Sequence, residues 1–94
     1  MEEIDFEEFK QRIDEFKGKC AYLSIDSSIK TLFIIEKSKI LINNYRLIIT
    51  DEKDIDIEFQ IDQFSNFYIS KFENDFKLQS EELGDILIDF DKNS

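Results

Sequence analysis

The hydrophobic period of this chain changes after Gly18, and that change restricts the fold more than any other feature. From Cys20 to Gln79 apolar residues tend to recur at every second position, and β-branched and aromatic side chains dominate, as in strands buried on one face. The clearest stretch is Thr50–Asp62. There Ile55, Ile57, Phe59 and Ile61 alternate with Asp54, Asp56, Glu58, Gln60 and Asp62, so a strand has one greasy face and one acidic face. The spacing predicts strands at about residues 20–26, 30–36, 39–43, 45–50, 54–61, 67–72 and 76–79. Turns fall at Asp26-Ser27-Ser28, Lys37-Ser38, Asn43-Asn44, Asp51-Glu52-Lys53, Gln63–Ser65 and Glu73-Asn74-Asp75, where Asn and Asp tolerate left-handed backbone and bond to their own main chain. Connections this short join antiparallel neighbours, so the sheet is expected to be a meander curled around one core.

On either side of the sheet the period is helical. Phe6, Phe9, Ile13 and Phe16 recur at spacings of three and four, with Glu7, Glu8, Lys10, Gln11 and Asp14 turned outward and Gly18 placed to cap the C-terminus. Glu2, Glu3 and Asp5 near the start, and Lys17 and Lys19 near the end, complement the helix dipole. Ser80–Phe90 places Leu83, Ile86, Leu87 and Phe90 on one helical face, with Ser80 as N-cap and Glu81 and Glu82 in the first turn. Gly84 weakens a helix there, and LGDILIDF also reads as one more strand. The expected class is α+β: an N-terminal amphipathic helix, a curled antiparallel meander of about 5–7 strands and a C-terminal helix.

At 94 residues and 41% hydrophobic content the chain suffices for one core and predicts a single domain over 1–94, with Asp91–Ser94 as a loose tail. No run of apolar residues is long enough for a membrane span, and the acidic, amphipathic MEEIDFEEF is unlike a signal or transit peptide, so the reading is cytoplasmic. One cysteine, Cys20, cannot close an internal disulfide. With no histidine to join it in a zinc site, it reads as a small buried apolar residue at the start of a strand.

The inventory excludes much chemistry. No histidine means no Ser-His-Asp or Cys-His system, and two glycines, Gly18 and Gly84, cannot build a phosphate-cradling loop. Carboxylates two apart on a strand stand ~6.7 Å from each other, too far to share one metal ion comfortably. The expectation is a protein that is not an enzyme and uses no metal or cofactor.

Net charge is −10, distributed unevenly. Residues 1–15 hold seven acids and two bases, residues 16–50 two acids and six bases, and residues 51–94 thirteen acids and four bases, or −5, +4 and −9. Solubility alone accounts for such acidity in many proteins. An acidic binding surface accounts for it as well, and then the partner is a basic protein surface, such as a nucleic-acid-binding enzyme or a toxin, rather than nucleic acid or membrane.

Lys39–Thr50, KILINNYRLIIT, resembles the strand-turn-strand signature of GRAM and bacterial pleckstrin-homology-like domains: Asn43-Asn44-Tyr45-Arg46-Leu47 parallels their Thr-Asn-Tyr-Arg-Leu type turn, and Phe59–Phe67 keeps the apolar spacing that follows. The resemblance implies a curled sheet closed by a C-terminal helix. The chain departs from it in its N-terminal helix and in lacking the basic loop that lipid head groups need.

Two functions are expected from this reading. One is a non-catalytic inhibitor or immunity-type protein (phage anti-defence, nucleic-acid mimic or toxin antidote) that blocks a basic partner. Its contact residues would be Asp51, Glu52, Asp54, Asp56, Glu58 and Asp62, with Phe64, Tyr68 and Phe72 as aromatic anchors. The alternative is a pleckstrin-like adaptor that binds a protein or peptide through a sheet edge.

Overall fold

The computed structural model describes residues 1–27 and 29–92. In chain order these form β1 (Glu2–Ile4), α1 (Phe6–Asp14), β2 (Ala21–Asp26), β3 (Thr31–Ile35), β4 (Lys39–Ile42), β5 (Arg46–Thr50), β6 (Asp56–Gln60), a 3₁₀ turn (Ile61–Gln63), β7 (Asn66–Ile69), β8 (Asp75–Gln79) and β9 (Asp85–Phe90). All pairings are antiparallel. One sheet has six strands in the order β1-β7-β8-β9-β2-β3, and a second has three in the order β4-β5-β6.

The expected α+β fold with a helix at each end of a single meander is therefore corrected. Among the described residues there are nine strands in two sheets and one α-helix, of nine residues. The C-terminal helix, which the GRAM resemblance also implies, is strand β9. Local chemistry explains the outcome. The Ser80 hydroxyl does accept the Leu83 N–H at 3.0 Å, and the Gly84 N–H reaches the Ser80 carbonyl at 3.1 Å, so one turn forms. Gly84 then adopts φ +83° so close to β2 that a Cβ would run into the Asp26 carbonyl. The helical path ends there, and the residues that follow have a second valid period: Ile86, Ile88 and Phe90 are buried and Leu87 and Asp89 exposed.

The N-terminal helix forms as expected but is shorter and is preceded by a strand. Asp5 Oδ1 accepts the Glu8 N–H at 2.8 Å as N-cap. Phe9 and Ile13 are fully buried against the inner face of the large sheet. Phe9 stacks on Phe67 at 4.8 Å and meets Phe76 edge-on at 5.5 Å, while Phe16 stacks on Phe90 at 4.8 Å. The small sheet contributes Ile40, Leu47, Ile49 and Phe59 to the same core, and Phe64 links the two sheets by edge-on contacts with Phe59 and Phe67. With α1 and the small sheet against one face of the large sheet, the other face of that sheet looks outward. No described helix is long and apolar enough to cross a membrane.

At the C-terminus, Asp91 and Lys92 are tied down. The Asp91 N–H donates to the Cys20 carbonyl at 2.9 Å and the Lys92 ammonium donates to the Phe72 carbonyl. Asn93 and Ser94 of the expected tail, and Ser28 of the first expected turn, lie outside the described residues.

Candidate functional site

The acidic residues singled out in the sequence occupy the small sheet and its turns, and three of the six, Asp51, Glu52 and Glu58, have local partners. Asp51 shapes the β5–β6 turn: its Oδ1 accepts the N–H groups of Lys53, Asp54 and Ile55 at 2.8–3.0 Å. Those bonds, Ile55 first, hold its carboxyl below the ordinary range. Glu52, at φ 64°, pairs with Lys39 at 2.6 Å. Asp54 and Asp62 are exposed at the ends of the strand region. Asp56 and Glu58 do share the outer face of β6, but across the sheet Arg46 reaches Glu58 at 3.7 Å, and the Gln60 amide donates to the same carboxylate at 2.9 Å. The row is an interleaved surface of both signs, with Lys39 and Arg46 standing beside the acids.

The three aromatics separate. Phe64 is 8% exposed and belongs to the core. Tyr68 lies on the outer face of β7, its ring under the Lys77 ammonium at 5.4 Å and its hydroxyl donating to Gln79 Oε1 at 3.2 Å. Phe72, at the tip of the β7–β8 hairpin, is 69% exposed. The structure therefore divides the expected site: acids on the small sheet, Tyr68 and Phe72 on the large one, Phe64 on neither surface.

The outer face of the large sheet holds residues that sequence reasoning left out. In the registers observed, Tyr22 lies between Ile34 and Asp89, and Ser24 between Leu32 and Leu87. Leu32 is 64% exposed and Ile34 50%, with Tyr22 and Leu87 also exposed. A shallow groove runs over this face from Leu32 and Leu87 past Tyr22 to Met1, Asp75 and Asp89. A second depression continues from Tyr22 and Asp89 to Phe72 and Lys92.

Two carboxylates in this groove are unusual. Asp75 and Asp89 stand directly opposite each other on β8 and β9. The Asp89 carboxyl is pushed up from 3.8 to about 6, first by its hydrogen bond with Asp75, then by burial and by the charges of Asp75 and Asp91. Asp75 Oδ1 is buried and has no hydrogen-bond donor among the described residues. Beside them the Tyr22 hydroxyl is held above its usual range, chiefly by the Cys20 side chain and further by Asp91 and Asp89. Among the described residues no group of three carboxylate or thiol side chains is placed to hold a metal ion.

One signal for this face was present in the sequence. Leu32-Phe33-Ile34-Ile35 is apolar at both parities, the pattern of a strand covered on both faces. In the structure only its inner face is covered. Comparison with known proteins adds no relative: no family model, no curated protein and no solved structure matches the chain.

Proposed function

We propose that the chain is a non-catalytic binding module that docks the outer face of its six-stranded sheet on a basic protein surface, in the manner of an inhibitor or antidote that occupies the site its partner needs. The observation that carries this reading is the set of exposed apolar side chains, Tyr22, Leu32, Ile34, Leu87 and Phe72, lying beside the incompletely neutralised Asp75 and Asp89. An exposed apolar centre with aromatic anchors and a charged rim is the usual anatomy of a contact surface. The net charge of −10 selects a basic partner and speeds the encounter. The acidic row on β6 does not carry the proposal, because Arg46 and Lys39 already stand beside it.

Capture from host extract with parent, Leu87→Lys and Glu58→Gln baits tests the reading. A basic protein retained by the parent and by Glu58→Gln but lost with Leu87→Lys supports it. Loss with Glu58→Gln and retention with Leu87→Lys overturns it. Raising the salt should weaken capture by the parent, since the attraction is partly between exposed charges.

A further inference from the structure

We infer that two copies of this chain join edge to edge through β3, antiparallel about a two-fold axis at Phe33, into one continuous twelve-stranded sheet. The inference concerns the chain alone and does not rest on the identity of any partner.

The six-stranded sheet ends in β1 on one side and β3 on the other. Natural sheets protect their edges with short strands, charges, proline or bulges. β1 has such protection, being three residues long with Glu2 and Glu3. β3 itself has none: Thr31-Leu32-Phe33-Ile34-Ile35 is uncharged and lacks proline, and the nearby β5–β6 turn reaches it only at the Ile34–Glu36 end, where Asp51 and Lys53 line a shared depression. Its outward side chains Leu32 and Ile34 are at least half exposed. In the small sheet the edge strand β6 carries Asp56 and Glu58, and β4 lies against α1.

Charge selects the occupant and the register. With the axis at Phe33, Leu32 of one copy faces Ile34 of the other, Thr31 faces Ile35, and Lys30 faces Glu36, each pair occurring twice by symmetry. Lys30, Leu32, Ile34 and Glu36 share one parity, so a row reading cation, apolar, apolar, anion meets the same row reversed. Among the described residues neither Lys30 nor Glu36 has an ion-pair partner in its own chain. Moving the axis to Ile34 sets Glu36 against Leu32 and forfeits the match. Two chains of charge −10 repel in general, but β3 lies in the stretch 16–50 that carries +4. Self-pairing there avoids a seam of like charges, since Lys30 of each copy meets Glu36 of the other. It also makes the apolar patches on the two outer faces continuous.

Sedimentation equilibrium at low ionic strength, from micromolar to about millimolar protein, tests this. The parent should show a concentration-dependent dimer. Lys30→Glu and Glu36→Lys each place like charges opposite one another twice and should raise the dimer Kd about tenfold or more. Mixing the two single-variant chains should restore association, because each then meets its opposite. Ile34→Lys, which puts a charge in the middle of the edge, should give a monomer with unchanged circular dichroism. A parent that stays monomeric throughout, or single variants that associate as the parent does, overturns the inference. A parent dimer in which mixing gives no recovery also overturns it, since the register would then be wrong.

Discussion

The outer faces of the two sheets are built from similar strands and carry opposite kinds of surface. On the small sheet two of the acids have a basic or amide partner, Glu58 with Arg46 and Gln60 and Glu52 with Lys39, and Asp51 accepts main-chain N–H groups of its own turn. On the large sheet Asp75 meets Asp89, a like charge, and the neighbouring strands present Tyr22, Leu32 and Leu87. The small-sheet face pairs Glu52 and Glu58 with cations, whereas the large-sheet face has the Lys77–Asp85 pair at 3.6 Å but sets Asp75 and Asp89 beside apolar area with the Asn74 amide, not a cation, against Asp89. Alternation along a strand thus reports which way a side chain points. Whether a charge is free to meet a partner depends on the strand that pairs beside it.

That contrast presupposes that the inner face of the large sheet is fully used, and the largest predicted effect tests it. Phe9→Ala removes the ring that α1 packs on Phe67 and Phe76, and should cost ~3–5 kcal/mol in denaturant unfolding. A loss below about 1 kcal/mol would mean that α1 is not core and that the sheet has another face to offer. Next in size is Gly84→Ala. The left-handed backbone alone costs about 1–3 kcal/mol for a residue with a side chain, and the approach to the Asp26 carbonyl adds to it. A variant as stable as the parent would contradict the turn that starts β9, and with it the placement of Leu87 and Asp89.

The acid pair sharpens the comparison through pH. Asp89 titrates near 6 in the folded chain against an ordinary 3.8, so between those values the folded state binds more protons than the unfolded one and stability falls as pH rises. The groups facing it are Asp75, Asp91, Tyr22 and the Asn74 amide. Asp89→Asn keeps a donor toward Asp75 at every pH. Its melting temperature should exceed that of the parent above pH 6, and the gap should close below pH 4. A gap independent of pH would show that Asp89 holds no proton. The smallest effect belongs to the small-sheet face: Asp56→Asn with Glu58→Gln should change stability by at most ~1 kcal/mol, because exposed ion pairs contribute little. A larger loss would mean that the β6 row is structural.

Much of this was legible in the residues. The strand segments between Cys20 and Gln79, the N-terminal helix with Phe9 and Ile13 turned inward, and Phe59 on the apolar side of its strand follow from periodicity, because each of these segments has one dominant period. Ser80–Phe90 has two, and the choice was made by a tertiary contact, Gly84 against β2, that no local pattern contains. The candidate face escaped for a related reason. Leu32 and Leu87 are far apart in the chain, and only the pairing of β2 with both β3 and β9 sets them on either side of Ser24. The acidic row was conspicuous because it is local. Its compensation by Arg46 was hidden because Arg46 approaches from the next strand.

The contact face itself can be tested in one measurement. A photo-crosslinking residue is placed at position 87 on the large sheet and, in a second chain, at position 58 on the small one, and both are irradiated in host cells. Position 87 should yield a discrete adduct with another protein, and position 58 should yield none above background. An adduct from position 58 with none from position 87 would contradict the account and return the contact to the acidic row.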